Sequence, residues 1–307
     1  MSTRILPESE IKQAAGEMYT PPLLFANPKN LYQRRAARLR QLSEKHPLQA
    51  YLRFCAAVAD AQLAVLSEHS VPKDTRLAKL PTDDGLWQQK PLDAKRFQRD
   101  DVWLTLLSAL LGKVKNDAND TILGTIEWLE KASNNELNTL ADTLLAEGYL
   151  PQQSDKAFFL WAALSLYWVQ LVQQLPRRKH SEIGEQRQTC PVCGSMPVAS
   201  TIHIGESQGA RYLHCGLCES EWHLVRALCS NCESGKSLHY WSIHGENAAV
   251  KAESCDECHS YLKVMYQDKD VDVEAIADDL ASLFLDDEME QKGYAKSTIN
   301  PLLFPAE

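Results

Sequence analysis

Four cysteine pairs hold most of the chemistry available to this chain. Cys190/Cys193, Cys215/Cys218, Cys229/Cys232 and Cys255/Cys258 all have the spacing C-x-x-C. One tight turn at that spacing places two sulfurs on the same metal ion. Two such turns facing each other complete a tetrahedral four-sulfur site. The pairs fall into two units, 190-CPVC-193 with 215-CGLC-218 and 229-CSNC-232 with 255-CDEC-258. The first pairs begin 39 residues apart and the second pairs 40 apart, so the units form an internal repeat. The simplest reading is two tandem sites: Cys190, Cys193, Cys215 and Cys218 in one, Cys229, Cys232, Cys255 and Cys258 in the other. A cross-braced pairing between the units stays open at this level.

The rival chemistry is thioredoxin-like redox pairs. It needs a low-pKa cysteine at a helix start in a βαβ context, whereas these pairs lie among short β-type runs. All-thiolate tetrahedral geometry suits zinc or a single rubredoxin-type iron. Spacing alone favours zinc, because structural zinc ribbons are common. Six histidines lie nearby (His203, His214, His223, His239, His244 and His259), but eight cysteines leave no ligand position for them, and they read as strand or surface residues. The ninth cysteine, Cys55, belongs to an apolar helical pattern and reads as a small core residue.

Other motifs fail. The string 233-ESGKS-237 resembles the end of a phosphate loop, but position 230 is Ser where that motif needs Gly. G-x-S-x-G, H-E-x-x-H and G-x-G-x-x-G do not occur. No nucleophile has a recognisable base, so no catalytic residue is assigned. A catalytic metal normally keeps an open coordination position, and four cysteines per site leave none.

Helical patterns must position these pairs from the N-terminal side. Residues 31–69 read as two helices broken near Pro47. Residues 71–100, with Pro72, Pro81 and Pro91, read as a long irregular connection. Helices are expected at about 101–115, 119–132, 134–146 and 155–175, with Asn134 and Ser154-Asp155 as start signals. From 189 the period changes to short strands at 200–204, 211–214, 221–226, 239–243, 249–253 and 261–266. An acidic amphipathic helix follows 267. It places Ile276, Leu280, Leu283 and Phe284 on one face and sends Asp278, Asp279 and Asp286 to solvent. The fold class is therefore α+β: an N-terminal all-α domain, two tandem rubredoxin- or zinc-ribbon-like modules and a C-terminal helix. The expected boundaries are 1–176 for the helical domain, opening on a loose arm over 1–20, and 177–188 for a charged linker. The two modules take 189–227 and 228–266, and the acidic helix and tail 267–307. The end, 300-NPLLFP-305, echoes 21-PPLLF-25, so the two segments are candidates to dock side by side or into similar pockets, although chance accounts equally well for so short a match.

With 307 residues the chain can bury more than one core, and 44% apolar with 24% charged residues is a globular composition. A net charge of -9 argues against a nucleic-acid binder, which carries a basic surface to neutralise phosphates. The cluster Arg34, Arg35, Arg38 and Arg40 reads as a solvated helix face, with attraction of an acidic partner as its functional alternative. The start MSTRILPESE lacks the apolar core of a secretory signal. The apolar run 157-AFFLWAALSLYWVQLV-172 is shorter than the ~18–20 residues that span a membrane and reads as a buried helix. A cytoplasmic protein without stable membrane insertion is expected, and there metal binding is favoured over structural disulfides.

Several stretches together carry a resemblance: 21-PPLLF-25, 184-GEQRQTCPVCGSMPV-198, 209-GARYLHCGLCESEWH-223, 229-CSNCE-233, 251-KAESCDEC-258 and 299-INPLLFP-305. The chain resembles the formate dehydrogenase accessory protein FdhE family over essentially its full length, with no departure at any of the eight cysteines. The resemblance implies a cytoplasmic protein required for active respiratory formate dehydrogenases. It implies binding to their catalytic subunit, which carries molybdenum and an iron–sulfur cluster and is exported folded by the twin-arginine route. It also implies rubredoxin-like ferric iron at the C-x-x-C motifs, which moves the expected metal from zinc to iron. The expected metal residues are the eight cysteines, and no catalytic residue is carried over.

The leading expectation is a non-enzymatic assembly factor whose metal modules order a surface for the immature catalytic subunit. A rubredoxin-type electron-transfer protein is the second reading. A structural zinc-ribbon nucleic-acid binder is the third, and the acids around the ribbons (Glu219, Glu221, Glu253, Asp256, Glu257) weigh against it. Monomer and homodimer are both compatible with the sequence.

Overall fold

A computed structural model describes residues 20–81, 84–148, 154–177, 183–243 and 245–303. Most of the expected N-terminal arm, part of the linker, His244 and the end of 300-NPLLFP-305 lie outside the described residues. Among the described residues six helices build the first part: α1 (Pro28–Ser43), α2 (Gln49–Glu68), α3 (Val102–Val114), α4 (Asp120–Lys131), α5 (Asn134–Glu147) and α6 (Ser154–Val172). Local signals explain their ends. Asn27 accepts a hydrogen bond from the Lys29 N–H, and Pro28 fills a first-turn position where a missing N–H costs nothing. Ser133 and Glu136 cap α5 reciprocally, one residue before the Asn134 start read from the sequence. The described residues of 71–100 are irregular apart from short 3-10 turns.

The apolar run 157–172 becomes α6, the hub of the helical part. It is buried on almost every side, from Ala157 to Val172. The helices α3, α4 and α5 pack around it, and α2 touches it as well. Among the described residues, α2 is the one helix long and apolar enough to cross a membrane, and 50% of that stretch is already buried inside the fold. Cys55 on α2 is buried, as expected of a core residue.

The strands are β1 (Leu23–Leu24), β2 (Pro197–Ile202), β3 (Arg211–Cys215), β4 (Glu221–His223), β5 (Leu238–Trp241), β6 (Val250–Cys255), β7 (Ser260–Tyr266) and β8 (Ala295–Lys296). They form one sheet in the order β1-β4-β3-β2-β7-β6-β5, with β8 beside the start of β7. All pairings are antiparallel except β2 with β7 and β7 with β8. The order shows how the repeat is laid down. Each unit contributes its third, second and first strand in turn, and the two units meet at the parallel β2–β7 seam. They are therefore related by translation across the sheet. The cysteine turns of both units lie at the same end of the sheet, roughly three strand spacings or about 14 Å apart.

Two helices follow the sheet, α7 (Ala275–Ala281) and α8 (Leu283–Gln291), where the sequence pattern suggests a single one. The chain breaks at Ser282, whose hydroxyl donates back to the Asp278 carbonyl. The acids of this segment are not a solvated face. Asp278, Asp279 and Asp286 are all buried, while Phe284, expected on the apolar face, is 60% exposed. Burial is sustained by cations from distant elements. Arg38 grips Asp278 at 2.6 and 2.9 Å, Lys263 Nζ lies 2.7 Å from Asp286, and Lys296 Nζ lies 2.9 Å from Asp279. The arginine cluster of α1 is corrected by the same observation. Arg35 and Arg38 are buried in ion pairs, Arg34 donates to the Val273 carbonyl, and Arg40 keeps an exposed pairing with Asp60.

The echoing termini do not share a pocket. Leu23–Leu24 adds an edge strand to β4. At the other end, Asn300 donates to the Ile276 carbonyl and to Asp279, and Tyr51 of α2 donates to the Leu302 carbonyl.

Candidate metal centres

Each cysteine pair caps a turn built on one plan. The N–H of the residue after the second cysteine donates to the carbonyl of the first: Gly194 to Cys190 (2.9 Å), Glu219 to Cys215 (3.1 Å) and Glu233 to Cys229 (3.0 Å). The first cysteine's N–H then donates to the carbonyl two residues beyond the second: Cys190 to Ser195, Cys215 to Ser220 and Cys229 to Ser234. In the fourth turn, Cys255 pairs with Ser260 within the β6–β7 ladder. The plan requires a left-handed residue after each second cysteine, and Gly194, Glu219, Glu233 and His259 have φ of 78, 58, 57 and 51°. Only the first is glycine. The other three carry side chains into a conformation that costs L-residues energy.

The four turns bring the eight sulfurs into two clusters, Cys190/Cys193/Cys215/Cys218 and Cys229/Cys232/Cys255/Cys258, each with all sulfurs within 4.8 Å of one another. The tandem pairing is the one observed. In the first cluster Cys190 Sγ lies 3.5 Å from Cys218 Sγ and Cys193 Sγ 3.4 Å from Cys215 Sγ. In the second, the Cys229–Cys258 and Cys232–Cys255 separations are both 3.7 Å. A tetrahedron with metal–sulfur bonds of about 2.3 Å has edges of about 3.8 Å. The second cluster matches that closely, and the first is a few tenths of an ångström tighter. Both donor sets fit one tetrahedral ion, iron or zinc, with no histidine among the clustered ligands.

The sulfurs are also hydrogen-bonded. The Cys218 N–H donates to Cys215 Sγ and the Asn231 N–H to Cys229 Sγ, each at 3.4 Å. Serine hydroxyls lie against three second cysteines: Ser195 at 3.4 Å from Cys193, Ser220 at 3.4 Å from Cys218 and Ser260 at 3.0 Å from Cys258. These serines belong to a repeat longer than C-x-x-C. All four turns read C-x-x-C-x-S: CPVCGS, CGLCES, CSNCES and CDECHS. That fourfold serine is the signal missed by reading the cysteines alone. Donors around the sulfurs spread the negative charge of a four-thiolate site and tune it. Ser234 departs from the pattern, since its hydroxyl accepts from the Lys236 N–H instead.

The two clusters differ in access. Every cysteine of the first is buried, whereas Cys232 and Cys258 of the second are half-buried. The helical part makes the difference. The Leu92 and Ala94 N–H groups donate to the Val192 and Cys193 carbonyls, at 2.9 and 2.8 Å. Trp161 Nε1 of α6 donates to the Gly216 carbonyl at 2.8 Å, and Pro301 packs over Gly216. No comparable cover lies over the second cluster among the described residues, where His239 and Tyr294 meet Asp256 at the surface.

Glu219, directly after ligand Cys218, anchors the first cluster to the helices. Its carboxylate receives Arg35 Nη1 and Nη2 at 2.9 and 2.8 Å and His214 Nε2 at 2.8 Å. Arg35 also reaches Glu274 at the start of α7. Burial alone would raise the Glu219 pKa, but Arg35 and His214 overcome it and hold the carboxyl down at about 2. Burial likewise opposes a charged His214, yet Glu219 and Glu221 push its pKa up to about 10. In the second module, burial pushes Cys229 up to about 12, while at Cys258 hydrogen bonds led by Ser260 outweigh burial and bring the thiol down to about 6. The described end of the expected linker bridges the modules. The Arg187 N–H donates to Glu233 at 2.8 Å, and the Arg187 carbonyl accepts from Trp222 Nε1 at 2.7 Å.

None of the described histidines near the cysteine pairs joins a cluster. His214 is buried in β3 against carboxylates, and His203 lies beside Glu221. His223 packs against Tyr212, His239 sits on the surface of β5, and His259 occupies the left-handed position of the fourth turn.

Comparison with known proteins places these features in one family. The N-terminal FdhE family matches residues 20–185, the FdhE central domain 189–226 and the FdhE C-terminal domain 227–303. A protein described as Protein FdhE homolog from Glaesserella parasuis serovar 5 is 60% identical, covering 100% of both chains. One with the same description from Haemophilus influenzae (strain Rd) is 54% identical over 100% of this chain and 99% of its own. The crystal structure of the FdhE protein from Pseudomonas aeruginosa superposes with a TM-score of 0.82 at 36% identity, covering 94% of this chain and 100% of that one. Its helical part, its two four-cysteine modules and its full-length similarity to these proteins establish that the chain belongs to the FdhE family.

Proposed function

We propose that this protein is a cytoplasmic assembly factor for a respiratory formate dehydrogenase. It binds the catalytic subunit before export and performs no catalysis itself. The observation that carries the reading is membership of the FdhE family over the whole chain, with the chemistry concentrated in two four-thiol clusters. Its partner is a protein, neither a nucleic acid nor a membrane, and the net charge of -9 supports that choice.

In this reading the eight cysteines hold two rubredoxin-like irons. Iron there supplies a ferric–ferrous couple, and zinc in its place would make the sites purely structural. The chain's own residues do the rest. The turn N–H groups and Ser195, Ser220 and Ser260 stabilise thiolate charge. Glu219 and Arg35 lock the first site to the helices, so that the metal orders a surface spanning both parts. A second reading, electron transfer to the client, is favoured by one observation. Cys232 and Cys258 reach the surface, as an exchanging redox centre requires.

Metal analysis and an absorption spectrum on protein purified without oxygen and then aired test the metal. Two irons with ferric–thiolate bands are expected, and two zincs in a colourless protein would make the sites structural and remove the electron-transfer reading. Co-purification of the catalytic subunit tests the function. Binding that persists after all eight cysteines become serine would contradict a metal-ordered docking surface.

A further inference from the structure

The sheet has two unlike faces. Tyr261 and Lys263 of β7 point to α7 and α8, where they meet Asp286 and Asp279. Alternation sends Val264 and Tyr266 to the opposite face. There, across the β2–β7 seam, lies a groove of about 210 Å³ lined by residues of both modules, among them Ile202, Arg211, Arg226, Tyr240, Glu253 and Tyr266.

Its floor is fixed and neutral. Arg211 and Glu253 are both buried and face each other in a two-pronged ion pair, with N–O distances of 2.8 and 3.1 Å. Ser200 and the Leu228 carbonyl accept further Arg211 protons, and the Tyr240 hydroxyl donates to Glu253 at 2.6 Å. The pair ties the first module to the second, so the groove is rigid only when both are folded.

Its rim is apolar and cationic. The strands β2, β4 and β5 run in one direction, so their C-terminal ends all lie along the edge opposite the cysteine turns, and the groove-lining Ile202, Arg226 and Tyr240 belong to them or follow them closely. That edge carries Ile204, Val225, Tyr240 and Ile243, each between 40% and 50% exposed. These are half of the eight large apolar side chains exposed among the described residues. Arg226 is exposed at the rim, and Lys251 Nζ lies 5.3 Å above the Tyr266 ring. The nearby acid Asp268 is already paired with Lys269. On a chain of net charge -9, this is a local positive patch with an apolar border. Interface cores favour this combination of Tyr and Arg.

We propose that this groove docks an extended segment of the formate dehydrogenase catalytic subunit, seating one apolar side chain beside Tyr240 and Tyr266 and a neighbouring carboxylate on Arg226. The inference rests on the client-binding function proposed above and assigns that function to a surface. Charge complementarity selects the occupant. Phosphate backbones would also satisfy Arg226, but the acidic remainder of the chain would repel them.

The test is the affinity of the purified catalytic subunit for the full-length, metal-loaded protein and its variants. Arg226→Glu alters an exposed position, whereas Tyr240→Ala also removes the hydroxyl that donates to Glu253, so metal content and melting temperature are measured on both to check their fold. Arg226→Glu is expected to weaken binding about tenfold or more, Tyr240→Ala to weaken it several-fold, and Arg226→Lys to restore most of it. If both variants bind the subunit as the wild type does, the groove is not the docking site and the client-binding function stands. If the wild-type protein itself does not bind the subunit, the function fails and the inference falls with it. If Arg226→Glu abolishes retention on single-stranded RNA or DNA and leaves subunit binding unchanged, the groove belongs to nucleic acid and the proposal is overturned.

Discussion

The two four-cysteine clusters share a sequence repeat, a turn plan and a position at one end of one sheet, yet they occupy different environments. The first is sealed by the 92–94 segment, α6 and Pro301, and bound through Glu219 to Arg35. The second keeps Cys232 and Cys258 half-buried at the surface. The repeat therefore lays down two like sites, and their surroundings make them unequal. Identical ligands can support a permanent staple in one place and an accessible centre in another, because access and outer-shell partners lie outside the ligand set.

Breaking each cluster in turn should show the largest difference. Cys218→Ser removes a ligand from the cluster that ties sheet to helices. Structural four-ligand metal sites contribute on the order of 10 kcal/mol to the domains they hold, so this variant is expected to lose soluble, cooperatively melting protein. Cys258→Ser should leave the helical part folded, with helical circular dichroism and a main melting transition close to wild type. Equal damage from both variants would erase the asymmetry.

Glu219 and Glu233 offer a finer contrast, since both follow a second cysteine in the left-handed conformation. Glu219→Ala leaves the buried Arg35 with Glu274 alone and takes the carboxylate from His214 Nε2, and should cost about 3–5 kcal/mol in chemical denaturation. Glu233 is only half-buried and accepts one Arg187 N–H, so Glu233→Ala should cost roughly 1 kcal/mol. If Glu219→Ala costs no more, the ion pair does not couple the cluster to the helices. The serines give the smallest effect. Ser220→Ala removes a buried hydroxyl from Cys218 and should lower stability by about 0.5–1.5 kcal/mol. Ser234→Ala should change little, because that hydroxyl serves Lys236 N–H.

Much of this was legible in the sequence because its signals are local. Pro47 separates α1 from α2, and the apolar period of 157–172 marks the buried α6. The six runs of β-type residues fall on β2 to β7, and the repeat of the pairs yields the tandem clusters. What escaped were long-range electrostatic pairs. Nothing near Arg38 announces Asp278, 240 residues away, so both read as solvent-facing charges. The same holds for Arg35 and Glu219, 184 residues apart. The single sheet was hidden as well, because the β2–β7 seam joins strands whose separate alternations say nothing about their neighbours. The repeated serine was visible as a further fixed position after each pair, and its chemistry emerges only once the hydroxyls lie against sulfur.

The most direct measurement of the central contrast is the time course of metal release from the native protein to an excess of a colorimetric chelator, repeated with Cys258→Ser. Two metals per chain are expected to leave in two equal phases, with rates about 10–100-fold apart, and only the slow phase is expected in Cys258→Ser. A single phase carrying both metals, or a slow phase that disappears in Cys258→Ser, would contradict that contrast.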